Sequence, residues 1–180
     1  MSLAVAPLSL VMPAFNEERT ITQAIDRVLA QPFVGELIIV DDASTDGTAR
    51  ILEQLNDSRV RVITHPANQG KGAALRTGFA HATCDLVGVQ DADLEYEPAD
   101  LAKLIKPLQD DLADVVYGSR FISGDARRVL YYWHSVGNRI LTTLSNMVTN
   151  VNLTDMETCT KVFRRNVIHV SRSQRRWVWF

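Results

Sequence analysis

The sequence predicts an α/β domain, a mostly parallel, doubly wound sheet with helices on both faces. Three observations point there. Short, β-branched apolar runs alternate with amphipathic segments from residue 8 to about residue 118, the pattern of repeated βαβ units. Polar residues cluster where four of those runs end: Asn16 and Glu17, Asp41 and Asp42, Asp91 and Asp93, Ser119 and Arg120. A chain of 180 residues also suits one domain, which can bury about two-thirds of its unfolded surface.

Each element has its own signal. Leu8–Met12 is an apolar run that Pro13 is expected to end. Ile21, Ala24, Ile25, Val28 and Leu29 recur at helical spacing, closed by Pro32 and Gly35. Glu36–Val40 is a short β-branched run. Ser44 to Gly47 is turn chemistry, with Ser44 or Asp46 as helix cap, and a helix carrying Ala49, Ile51, Leu52 and Leu55 follows. Val60–Thr64 reads as a third strand and Pro66–Gly72 as a loop that overlaps the start of a helix over 71–82. Leu86–Val89 is a fourth strand, and Pro98 opens a helix with Leu101, Leu104, Ile105 and Leu108. Val115–Tyr117 is the fifth. Beyond it, 124–128 reads as a partly basic loop. Trp133, Val136, Ile140, Leu144, Met147 and Val151 then predict an amphipathic helix over 131–151. Packing on the sheet is the plain expectation for it. A lipid-facing helix is the second, favoured by Tyr131, Tyr132, Trp133, Arg127 and Arg128.

Bulk properties narrow the partners. A net charge of −2 supplies no field for a polyanion, so no nucleic-acid partner is expected. Cys84 and Cys159 lack metal or redox spacing, which suggests a reduced, cytoplasmic setting. Neither a secretory signal nor a run of about 18 apolar residues is read. Work at a membrane would therefore be peripheral or through a membrane partner.

The chemistry gathers in the acids. Asp91-Ala92-Asp93 directly follows a strand, and alternation sends both carboxylates to one side. Hard oxygen ligands select Mg²⁺ or Mn²⁺, which would then neutralise a leaving diphosphate. Asp41 or Asp42 is placed to accept hydrogen bonds from a base or ribose. Gly70-Lys71-Gly72 opens a helix, where backbone N–H groups favour phosphate, although neither a P-loop nor a full dinucleotide fingerprint is present. Arg120 offers a planar fork to phosphate. Asp155 is a candidate base for a hydroxyl acceptor, or would position a phosphate acceptor. A phosphohydrolase using Asp-x-Asp, or a nicotinamide oxidoreductase, would carry its motif after the first strand. This chain has Pro13-Ala14-Phe15-Asn16-Glu17 there.

Six segments in order resemble glycosyltransferase family 2, and most closely its polyprenyl-phosphate branch: VMPAFNEE at 11–18, IIVDDASTDGT at 38–48, NQGKGAALRTGF at 68–79, QDADLEYEP at 90–98, VVYGSRF at 115–121 and TDMETCTKVFRR at 154–165. The resemblance implies a GT-A fold over residues 1–170. It also implies an inverting, metal-dependent transfer of a hexose from GDP-mannose or UDP-glucose to an acceptor such as polyprenyl phosphate. Pro13, Phe15 and Glu17 would flank the base, and Asp41 would contact the base or ribose. Lys71, Asp91 and Ala92 complete the expected donor site. Asp91 and Asp93 would hold the metal, Arg120 the phosphates, and Asp155 would lie on the acceptor side. Thr160 replaces the aromatic residue usual in relatives, and 171–180 departs from the pattern. A truncated domain that binds nucleotide sugar with little turnover is the alternative expectation.

Overall fold

The computed structural model describes residues 7–119 and 132–168. Arg120, the 124–128 loop, Tyr131 and the 171–180 tail lie outside them, as does the side chain of Tyr132. In chain order the elements are β1 (Leu8–Ala14), α1 (Ile21–Leu29), β2 (Val34–Asp41), α2 (Thr48–Glu53), β3 (Val60–Thr64), α3 (Lys71–His81), β4 (Leu86–Val89), α4 (Leu101–Gln109), β5 (Val115–Tyr117), α5 (Tyr132–Thr149) and β6 (Lys161–Arg164). A short 3₁₀ turn at Pro98–Asp100 leads into α4.

The sheet order is β3-β2-β1-β4-β6-β5. β1, β2, β3 and β4 pair in parallel, while β6 runs antiparallel between β4 and β5. The expectation of a mostly parallel α/β sheet holds. β6 is the addition: Lys161–Arg164 contributes only Val162 and Phe163 as apolar residues, too short a run to stand out between charged neighbours.

Both faces of the sheet are covered, so its central strands read as nearly continuous apolar runs. Leu8, Leu10 and Met12 of β1 share one core with Ile21, Ile25 and Val28 of α1, Leu52 of α2, and Leu101, Ile105 and Leu108 of α4. Val11, Ile38 and Val87 meet Ala74, Leu75 and Phe79 of α3 on the other face.

Two expected strands have different bounds. β1 does not stop at Pro13 but runs to Ala14, with Pro13 opposite Val40 of β2. The polar groups of Val11 face β4, since Gln90 N donates to Val11 O at 3.1 Å. Pro13 is two residues on and faces the same way, where β4 has already ended. Its missing N–H therefore costs no ladder bond. Gly35, expected beyond a helix end, lies inside β2.

α5 corrects the plain expectation for its region. The helix forms, but its apolar side does not pack on the sheet. Trp133 is 78% exposed and Met147 75%, and Ile140, Leu141, Leu144 and Val148 are also exposed. Asn138 and Thr142 are its buried positions.

α3 approaches β1 closely at Gly78. A Cβ there would lie 2.2 Å from Val11 Cγ1, and Val11 is fully buried. Overpacking of this kind outweighs the gain of about 1 kcal/mol for alanine over glycine within a helix. Gly78→Ala should lower unfolding free energy by about 1–2 kcal/mol. Urea denaturation checks this, and an unchanged or raised midpoint would contradict the packing.

Candidate active site

The parallel strands bring their carboxyl ends to one edge. Asp42 N bonds Ala14 O at 2.9 Å, and His65 N bonds Asp41 O at 2.9 Å. The ends of β1, β2 and β3 are thereby level, and Asp91 follows β4 beside them.

The loops after β1 and β2 are stitched together. Asn16 Oδ1 accepts from Thr45 N at 2.8 Å, and Asn16 N donates to Ser44 Oγ at 2.9 Å. Glu17 N donates to Thr48 Oγ1 at 2.9 Å, and Glu18 N to Asp46 Oδ2 at 3.1 Å. Asp46 also accepts from Thr48 N at 2.9 Å. It is thus structural, as expected, although the capping position itself is Gly47. Asn16, Ala43 and Leu94 all adopt positive φ, at 57°, 60° and 61°. Asn16 and Ala43 each lie two residues past a strand end and Leu94 lies in the loop after β4, so left-handed backbone occurs in the connections after β1, β2 and β4.

A cavity of about 270 Å³ opens there. Pro13, Phe15, Glu17, Lys71, Asp91, Ala92 and Asp93, all expected site residues, line it. Asp42, Asn68 and Gly70 line it as well. Phe15 is 44% exposed on the rim, an aromatic face open to a base. Glu17 Oε2 accepts from Thr20 Oγ1 at 2.6 Å, so it also braces the start of α1.

Lys71 is the cation among the described residues that line the cavity. Its Nζ lies 2.7 Å from Asp91 Oδ1 and 2.8 Å from Oδ2, and donates to Cys159 Sγ at 3.3 Å. Partial burial disfavours the ammonium, but the Asp91 carboxylate outweighs it and holds the Lys71 pKa above its ordinary value. Burial and the Asp91 charge push the Cys159 thiol up to about 11. The thiol is therefore protonated and a poor metal ligand.

Asp93 differs from Asp91. It is exposed, and its Oδ1 accepts from Glu95 N at 2.9 Å. Partial burial, together with the charges of Asp91, Glu95 and Glu17, raises its pKa. Among the described residues no group of three or more His, Cys, Asp or Glu is set to hold a metal. With Asp91 already facing an ammonium, the donor set amounts to the open oxygen of Asp93. That fits a Mg²⁺ or Mn²⁺ bound by one or two carboxylates and completed by a ligand's phosphates. It does not fit a resident ion in a protein cage.

Two expected residues do not line the cavity. Asp41 is 1% exposed, and its Oδ2 is buried without a hydrogen-bond partner. Its Oδ1 accepts from Ser44 N at 3.2 Å. Asp155 is also 1% exposed, and its Oδ1 accepts from Asn138 Nδ2 of α5 at 2.9 Å. Arg120 lies outside the described residues.

Asp42 carries more structure than the sequence suggested. Its carboxylate accepts from Gly70 N at 2.7 Å, Gln69 N at 3.0 Å and His65 Nδ1 at 2.7 Å. Burial works against the charge, but these bonds prevail and hold its pKa below the usual carboxylate range.

A parallel sheet with one antiparallel strand let in, and acids at its carboxyl edge, is the architecture of GT-A glycosyltransferases. Solved structures agree. Glucosyl-3-phosphoglycerate synthase from Mycobacterium tuberculosis, in complex with Mn²⁺, UDP and glucosyl-3-phosphoglycerate, superposes with a TM-score of 0.66 at 26% identity, covering 90% of this chain and 58% of that one. The chain belongs to glycosyl transferase family 2, whose family model matches residues 9–171.

Among curated relatives, the chain is similar to the UDP-N-acetylglucosamine–dolichyl-phosphate N-acetylglucosaminyltransferase of Methanococcus voltae, 29% identical over 93% of this chain and 73% of that protein. It is also similar to the dodecaprenyl-phosphate galacturonate synthase of Rhizobium johnstonii, 30% identical over 89% and 48%. A third relative is the dolichol-phosphate mannosyltransferase of Pyrococcus furiosus, 31% identical over 68% and 34%. The chain spans about three-quarters of the first of these, but only about half or less of the other two.

The depressed Asp42 pKa carries a stability consequence. A carboxylate with a lowered native pKa contributes stability that is present above its unfolded value, near ~3.9, and lost as pH falls through the native value. Asp42→Asn should cost about 1.5–3 kcal/mol near neutral pH. The difference from wild type should shrink below about pH 4. Denaturation series across pH check this, and a pH-independent difference would contradict it.

Proposed function

We propose that the chain transfers a hexose from a nucleotide sugar, GDP-mannose or UDP-glucose, to a polyprenyl-phosphate acceptor with inversion at the anomeric carbon. One observation carries the donor half. Phe15 and Glu17 after β1, Asp91 and Asp93 after β4, and Lys71 at the start of α3 line one cavity. An aromatic rim suits a base, and an ammonium with an acidic partner suits a diphosphate–metal pair. The orphaned Asp41 Oδ2 at the end of β2 is an acceptor for a base N–H or ribose hydroxyl once the loop above it adjusts.

In this account Lys71 directs its ammonium at the diphosphate, while Asp91 keeps that ammonium charged and oriented. Asp93 offers its free oxygen to Mg²⁺ or Mn²⁺, which when bound would spread the negative charge of the leaving diphosphate. Catalysis then rests on positioning and charge.

The acceptor half rests on different support. The relatives from Methanococcus, Rhizobium and Pyrococcus carry dolichyl, dodecaprenyl and dolichol phosphate in their names. A phosphate acceptor is already anionic and requires no strong base. That matches an Asp155 engaged by Asn138 rather than poised in the open, so Asp155 would shape the acceptor side through α5. The exposed apolar residues of α5 suit a lipid surface, and no described helix is long and apolar enough to cross a membrane. Such a domain would work at the cytoplasmic face of a membrane, peripherally or with a membrane partner. Arg120 remains the proposed second cation on the phosphates.

Calorimetric titration with UDP and GDP, with and without Mn²⁺, tests the donor half. One nucleoside diphosphate should bind at least tenfold tighter with Mn²⁺, and Asp93→Asn should remove that gain without changing the melting temperature. Failure of both nucleotides to bind would overturn the proposal. Turnover on polyprenyl phosphate then tests the acceptor half, and metal-dependent binding without turnover would favour a domain that binds donor only.

A further inference from the structure

His65 is buried, 8% exposed, and both its ring nitrogens are engaged. Nδ1 lies 2.7 Å from Asp42 Oδ1, and Nε2 lies 2.9 Å from Thr77 Oγ1 of α3. Facing a carboxylate, Nδ1 carries the hydrogen. In the neutral ring Nε2 then accepts from the Thr77 hydroxyl. The carboxylate that anchors the ring also holds Gln69 N and Gly70 N, the two residues before α3. Gly70 has φ 86° and ψ 160°, a backbone state essentially closed to other residues. It commits the chain to enter α3 at this point, and the next residue is Lys71.

α3 therefore meets the end of β2 twice. Its entry turn hangs on Asp42 directly, and its body hangs on Asp42 through His65 and Thr77. The face of α3 that meets the sheet carries Ala73, Ala74 and Gly78 together with Leu75 and Phe79. The small residues allow close approach, and the two larger ones resist sliding of the helix. Polar ties at two heights add to that constraint, and Lys71 directly follows the tie at Gly70.

We propose that Asp42, His65 and Thr77 form a positioning chain that sets the axial placement of α3 and so aims Lys71 at Asp91 and the donor diphosphate. None of the three is a catalytic residue, and their effect is exerted through Lys71. The donor part of this inference rests on the function proposed above.

A double-mutant cycle on the full chain tests it, reading UDP and GDP affinity with Mn²⁺. His65→Phe and Lys71→Ala should each weaken binding about tenfold, the loss of roughly one charge-assisted hydrogen bond. The double variant should bind no more weakly than Lys71→Ala alone, because His65 acts through Lys71. His65→Asn, which keeps a donor toward Asp42, should recover most of the loss. Losses that multiply to about a hundredfold, or wild-type binding by His65→Phe, would overturn the chain. Should His65→Phe not fold, Thr77→Val enters the same cycle, with Thr77→Ser as its restoring variant.

A second readout needs no nucleotide. Acetylation of Lys71 by acetic anhydride, followed by peptide mass spectrometry, should be several-fold faster in His65→Phe than in wild type, relative to Lys103 and Lys106. An unchanged Lys71 rate overturns the positioning chain. A faster rate in a protein that binds neither UDP nor GDP upholds the chain and overturns the donor reading instead.

Discussion

Three carboxylates are buried at one edge of the sheet. Asp41, Asp42 and Asp91 are each less than a tenth exposed, and all stand within two residues of a strand end. A buried carboxylate is costly unless donors or a cation meet it. Asp42 is met by Gln69, Gly70 and His65, and Asp91 by Lys71. All four partners come from residues 65–71. The acids of β2 and β4 thus dictate the shape of the connection between β3 and α3, and that connection forms a wall of the cavity.

The pairing of Asp91 with Lys71 changes what the Asp-x-Asp pattern does here. Two adjacent acids after a strand suggest two ligands for one cation. With one acid already compensated, the pattern divides its labour: Asp91 holds a cationic side chain, and Asp93 keeps an oxygen open. On the proposed reading, a divalent ion would then be retained only together with the phosphates that complete its shell. The start of the segment after α5 follows a related logic. Asn138 and Thr142 turn inward because Asp155 and the Met156 N–H need partners. That choice of face leaves the apolar side of α5 outward.

Much of the fold was legible because parallel strands buried on both faces are compact apolar runs. The expected bounds of β3, β4 and β5 match the structure residue for residue. Pro13 misled, since the cost of its missing N–H depends on where the neighbouring strand ends. β6 was invisible because two apolar residues between charges carry no periodicity. For α5 the period was legible, while the direction stayed open between the sheet and the outside. A stripe of apolar residues does not say whether the sheet or the outside lies beside it, and the polar tie between residues 138 and 155 decided it. The lining of the cavity was legible where short segments carry it: Pro13, Phe15, Glu17, Lys71 and Asp91–Asp93. His65 and the full role of Asp42 were not, because their bond spans 23 positions and nothing local marks it. Asp41, expected to contact the base or ribose, and Asp155, expected on the acceptor side, are buried.

The proposed donor site depends on this division of labour between Asp91 and Asp93. A crystal structure of the protein with Mn²⁺ and its nucleoside diphosphate tests it directly. The ion should be held by Asp93 and phosphate oxygens, with Lys71 still bonded to Asp91. An ion chelated by both aspartates, with Lys71 displaced from Asp91, would contradict the account.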